Sequence, residues 1–361
     1  AAISLSLRLA ALTATAEPLR IATYAAPLAR DGPGLLLRDI VAGRDQAIAA
    51  IARVIASADP DILLLTDFDH DAGLVALNAF ADLLAEQGHF YPVRFALPTN
   101  AGLPTSLDMD GNGRLGEARD AMGYGAFRGN GGMALLSRVP IDEAAVTDFS
   151  AFLWRDLPGR QMPEIGGRPF PSQEAQSIQR LASAGFWIVP MRPENAPPFS
   201  LLASAATTPA FDGPEDRNGL RNRDEIRFWS LYLDGAFGPS PETFVLAAKL
   251  NADPEDGDGD HAAIRALLTD PRLQDPHPAS IGGALAANPG HLGDPALDTA
   301  AWPDSPQGNL RVSYVLPSAN WSVEGAGVLW PATGDLLGSD GQLAGPHRLV
   351  WVDVSPQPDR P

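Results

Sequence analysis

Short apolar runs recur along the chain, most of them bounded by Gly, Pro, Asp or Asn. Residues 19–24 (LRIATY) and 61–65 (DILLL) read as buried strands, and between them 44–55 (RDQAIAAIARVI) places apolar residues at helical spacing. Further strands are expected over 91–97, 132–136, 187–189, 200–203, 244–247, 312–316 and 348–354, and further helices over 221–233 and 261–268. So many strands with few helices between them predict a two-sheet core rather than one doubly wound sheet. No internal repeat and no shift of composition divides the chain. Residues 19–361 therefore read as one domain, with 1–18 as a separate N-terminal segment.

That segment admits two readings. Ile3, Leu5, Leu7 and Leu9 alternate with Ser4, Ser6 and Arg8, the period of a half-buried strand or docked arm that would recruit a protein partner or a second copy. Alternatively, the apolar stretch followed by Ala14-Thr15-Ala16 resembles the remnant of a signal peptide, and export to the periplasm, exterior or cell surface is the matching expectation. No other run is long enough to predict a transmembrane span.

Composition narrows the chemistry. With 26 basic and 44 acidic residues the formal charge is −18, which argues against a nucleic-acid partner. Arg217, Arg221, Arg223 and Arg227 are interleaved with Glu215, Asp216, Asp224 and Glu225, so the sequence predicts a solvated ion-pair surface there rather than a phosphate track. The absence of Cys removes thiol catalysis and thiolate metal sites. No Gly-x-Ser-x-Gly elbow is present.

One segment has the spacing of a cation loop. Asp108, Asp110 and Asn112 stand at the first, third and fifth positions of an EF-hand-like loop, Gly113 at the sixth, and the Arg114 carbonyl at the seventh. Arg119 occupies the twelfth, where a bidentate Glu is usual, and Asp120 or Glu117 would have to close the shell. Calcium and a plain Asx-rich turn are both open on this pattern. Asp256, Asp258 and Asp260 lack the corresponding Gly, and a solvated loop is expected there.

In order, the stretches LRIATYAAP (19–27), PDILLLTDFDHD (60–71), GGMALLSRVPI (131–141), LLASAATTPAFDGPEDRNG (201–219), FVLAAKLNADP (244–254), NLRVSYVLPS (309–318) and GPHRLVWVDV (345–354) resemble the endonuclease/exonuclease/phosphatase superfamily, the DNase I-like fold, over nearly the whole chain. The resemblance implies an α/β fold of four layers, two packed mixed sheets flanked by helices, with a metal-dependent phosphoester-hydrolase site at one end. It also implies which positions should carry the chemistry. Ala25 stands for the expected Asn, Gly131 for Tyr, Ala205 for His, Lys249 for Asp, Ser313 for Asp, and Pro346 for the Asp of an Asp-His pair. Asp67 (for Glu), Asn251 and His347 are the remnants. Without carboxylates at 249, 313 and 346, no general base stands at 249 and His347 lacks its orienting partner. The expectation is a non-catalytic binding or assembly protein with no magnesium at the former site. The alternative is a divergent metal-dependent phosphoesterase using Asp67, Asn251, His347 and a carboxylate in a displaced role at Asp69 or Asp253.

Overall fold

A computed structural model describes residues 17–194, 196–332 and 338–357. The N-terminal alternation at 3–9 lies outside the described residues. Two mixed sheets form the centre. The six-stranded sheet runs Trp321–Val328, Val350–Pro356, Leu19–Leu28, Ile62–Phe68, Gly132–Ser137, Val93–Phe95. The five-stranded sheet runs Ser313–Pro317, Phe244–Lys249, Phe199–Ala205, Phe186–Met191, Thr147–Asp148. Each sheet has one parallel pair at its centre, Leu19–Leu28 with Ile62–Phe68 and Phe199–Ala205 with Phe244–Lys249, flanked by antiparallel strands.

The strand period of two sorts side chains into layers. Ile62 and Leu64 point between the sheets with Val189, Leu201, Val245 and Val352, whereas Leu63 and Leu65 point outward beneath the helices Leu35–Ala42, Gln46–Ala58 and Val75–Glu86. On the far side, Leu202, Leu246 and Leu316 pack under the helices Arg217–Leu233 and His261–Leu268. Three apolar cores thus separate four layers, a four-layer α/β sandwich, as the resemblance implies.

The layering also fixes where chemistry can occur. Both central parallel pairs end on the same side of the molecule, and the residues at those ends face the inter-sheet layer where the apolar filling stops. Carboxyl ends of parallel strands are where open α/β sheets place ligands. The acidic run 256–260 is not merely solvated. Asp256 accepts the Leu292 and Gly293 N–H groups at 2.9 and 2.8 Å, and Asp260 caps the His261–Leu268 helix through the Ala263 N–H at 3.0 Å.

Candidate functional site

Register brings the sequence-nominated positions together. Lys249 pairs with Ala205 on one side and Ser313 on the other, so three of the altered positions form one cross-strand row. In the other sheet Ala25 pairs with Thr66, and the next residue, Asp67, sits at a break in register with φ of 61°. A bulge of this kind re-aims a side chain. Here the chain ends in an ion pair: Lys249 Nζ donates to Asp67 Oδ1 at 2.6 Å and Oδ2 at 2.8 Å. Lys249 is nearly enclosed and Asp67 about one-third exposed. Lys249 is also the one Lys in the sequence, beside 25 Arg.

The other nominated residues surround this pair with little spare chemistry. Asn251, with φ of 53°, donates through Nδ2 to the Ala206 carbonyl at 2.7 Å and so fixes its loop. Gly131 has φ of 66°, a conformation that favours glycine, and its N–H goes to Asp69 at 2.9 Å. A Tyr at that position would be strained. Asp69 further accepts from Arg30 N–H and Asn130 Nδ2, and Asp253 accepts the N–H groups of Glu255, Asp256 and Arg311. Both carboxylates act as backbone staples.

His347 lies near enough to the pair to feel both of its charges. It precedes the Val350–Pro356 strand, bridges Ala300, and meets the Trp302 ring edge to face at 5.3 Å. Its Nδ1 is enclosed with no partner among the described residues. Burial, and then the Lys249 ammonium, push the imidazole down to about 4, with Asp67 opposing, so the ring is neutral at pH 7. Pro346 lies on the same bridging segment, its carbonyl accepting the Ala301 N–H. The Ser313 and Thr66 hydroxyls are also enclosed without partners among the described residues.

The pair lies in a cleft of about 950 Å³ that runs from Asp67, Lys249 and Asn251 out to the 110–124 segment on one wall and residues 205–218 on the other. Helix Arg217–Leu233 organises both walls, and here the expected solvated surface is overturned. Arg221 is buried and donates to the carbonyls of Leu181, Met122, Arg180 and Ala182. Glu225, also buried, accepts the Ser183 and Thr207 N–H groups at 2.7 and 2.6 Å. Asp224 accepts Trp154 Nε1 and the Gln161 N–H. Loops without ladder partners left backbone groups to satisfy, and the helix's charged face supplies them. The missed signal was that Leu220 is the one large apolar residue before Ile226, so the polar first half had to face something other than a helix-covered sheet.

In the 108–120 segment, carboxylate oxygens of Asp108, Asp110 and Asp120 lie within 4.8 Å of one another. Asp108 accepts the Gly111 and Gly113 N–H groups at 2.6 and 2.8 Å, while Asp120 accepts those of Met109 and Glu117. Asn112 meets the three through its Nδ2, which donates to Asp110 Oδ2 at 3.1 Å. Its Oδ1 takes the Arg114 N–H at 2.7 Å and its Nδ2 reaches Glu117. Burial and its two acidic neighbours hold the Asp110 pKa above the ordinary carboxylate value, against one opposing N–H from Asn112.

A model of the Endonuclease/Exonuclease/phosphatase family matches residues 38–340. The chain belongs to this family. Among solved structures, the family protein from Beutenbergia cavernae DSM 12333 is 18% identical with a TM-score of 0.56, over 94% of this chain and 72% of that one. The human Nocturnin catalytic domain with bound sulfate is 15% identical with a TM-score of 0.52, over 95% of both chains. The family protein from Bacteroides vulgatus is 12% identical with a TM-score of 0.50, over 94% and 99%. At such identities the likeness establishes the fold. No curated protein matches the sequence. Among the described residues no helix is long and apolar enough to cross a membrane.

Proposed function

We propose that this family member is non-catalytic and works as a binding or assembly protein. The observation that carries the reading is the Lys249 ammonium on both oxygens of Asp67. A carboxylate whose two oxygens face an ammonium has no free edge for a divalent cation, and the ammonium repels one. The two carboxylates that could take displaced roles, Asp69 and Asp253, are held by backbone N–H groups. Divalent metal therefore does not fit these residues, and no hydrolytic step follows from them.

The divergent-phosphoesterase reading draws on one observation, the neutral His347 with its unpartnered Nδ1. A panel of phosphodiesters and phosphomonoesters, assayed with magnesium, manganese and calcium, separates the two. The expected result is no turnover above the metal-containing buffer. Turnover that Asp67→Asn abolishes would overturn the non-catalytic reading.

Two further readings belong to the same proposal. Calcium would be held by Asp108, Asp110 and Asp120 beside the cleft wall, a reading supported by the proximity of three carboxylates. The N-terminal segment would mark an exported chain or serve as an arm for self-association or a protein partner. Deleting residues 1–16 and comparing sedimentation velocity with the full chain tests the arm, and an unchanged profile refutes it.

A further inference from the structure

The cleft walls are balanced in charge although the chain carries −18. Asp67, Asp110, Asp212 and Glu215 face Arg119, Arg217, Arg221 and Lys249. Most of the cations are already engaged: Lys249 by Asp67, Arg221 by four carbonyls, and Arg119 lies 4.0 Å from Asp110. Arg217 has no carboxylate paired with it among the described residues, but it stands in the field of Asp110, Glu215, Asp212 and Asp120, so the cleft offers no net positive charge to attract an anion.

Two aromatic rings line the same space and stand almost free of the protein. Tyr124 is 74% and Phe211 80% exposed. Phe211 also has φ of 67°, a left-handed conformation that a bulky residue rarely adopts. Strain of this sort persists where the surroundings enforce it, and here it buries nothing. The ring is presented to the cleft, not packed.

Polar groups along the wall are fixed yet underused. Thr207 is anchored through its N–H to Glu225 and its carbonyl to Asn222, while its enclosed hydroxyl has no partner among the described residues. Arg217 donates only to Gln179 at 3.2 Å among the described residues. Planar carboxylates and guanidinium groups take neighbouring hydroxyls in pairs. An aromatic ring packs against the CH face of a pyranose, and a saccharide offers both donors and acceptors without net charge.

We propose that the cleft is a saccharide-binding site that takes a neutral oligosaccharide against Tyr124 and Phe211. This rests on the non-catalytic reading of the same cleft. The volume is at the upper end for small-molecule sites and suits several sugar units rather than one.

Saturation-transfer NMR and calorimetry on the full chain test it, using neutral tetrasaccharides of glucose, mannose and galactose, matched uronate and phosphorylated oligosaccharides, and an unrelated tetrapeptide. At least one neutral tetrasaccharide should bind saturably. Tyr124→Ala and Phe211→Ala should each weaken it about tenfold at an unchanged melting temperature. Binding confined to the charged sugars or to the peptide overturns the proposal, as does no saccharide binding at all or affinity retained in the double variant. Phosphate release from the phosphorylated sugars would sink the non-catalytic reading alone, because neutral binding is read separately.

Discussion

The Nζ of Lys249 lies 2.6 and 2.8 Å from the two oxygens of the Asp67 carboxylate, joining the end of one central strand pair to the other across the inter-sheet layer. Removing one partner strands a poorly hydrated charge. Lys249→Met should therefore destabilise the fold by about 1–3 kcal/mol, discounted for the partial exposure of Asp67. Adding Asp67→Asn should recover part of that loss. Urea denaturation of the two variants checks both statements, and a double variant no more stable than the single one would contradict them.

The same pair makes a reversal experiment possible. Lys249→Asp replaces the ammonium with a second carboxylate opposite Asp67, and two facing carboxylates attract a divalent ion. The variant should bind manganese at least about tenfold more tightly than the unmodified chain by electron paramagnetic resonance titration. Equal affinities would show that more than residue 249 excludes the ion.

Chelation bears on the 108–120 segment. If calcium joins Asp108, Asp110 and Asp120, EGTA should lower the melting temperature by a few degrees, because an ion that binds only the folded chain stabilises it by mass action. Asp110→Asn should remove the EGTA effect. An identical melt with and without chelator leaves the segment as a series of Asx turns.

Asp298 supplies a pH dependence. Burial, followed by repulsion from Asp253, Asp256 and Asp294, pushes its carboxyl up to about 7. The folded chain therefore holds this proton more tightly than the unfolded chain, and the resulting stability is complete below about pH 4 and lost as pH rises through 7. Asp298→Asn should gain on the order of 2–4 kcal/mol over the unmodified chain between pH 4 and 8. Denaturation midpoints whose difference does not change over that range would rule this out.

Buried charge gives the largest expected effect. Arg221→Met takes a donor from four carbonyls, of which Leu181 has no other among the described residues, and leaves Glu225 without its counter-charge, and should cost about 3–5 kcal/mol by urea denaturation. A loss below 1 kcal/mol would mean that water replaces the guanidinium.

The uneven legibility of the chain follows from where its helices and strands draw their stability. Helices Gln46–Ala58 and His261–Leu268 are readable from the helical spacing of their apolar residues, and Asp45 and Asp260 cap them with side-chain oxygens. Leu35–Ala42 and Val75–Glu86 escaped notice, and Arg217–Leu233 was started four residues late at 221. Gly34, Leu74 and Asp216 stand at these N-termini in left-handed conformations with no side-chain cap. The edge strand Trp321–Val328 was missed because Gly325, Ala326 and Gly327 break its alternation at a bulge. At the site, the meeting of Lys249 with Asp67 could be expected from the family pattern, since one cation can replace another between fixed strands. The polar half of Arg217–Leu233 could not, because its partners are loop carbonyls about 40 to 100 residues away in sequence.

A chain of 361 residues with a single Lys has a practical property. A lysine-specific protease has one place to cut, after residue 249, and that bond is sheltered at the end of an inner strand with its side chain tied to Asp67. Release of two fragments, 1–249 and 250–361, therefore counts openings of the cleft floor. A cleft occupant that holds the two sheets together would slow that clock without any label being attached.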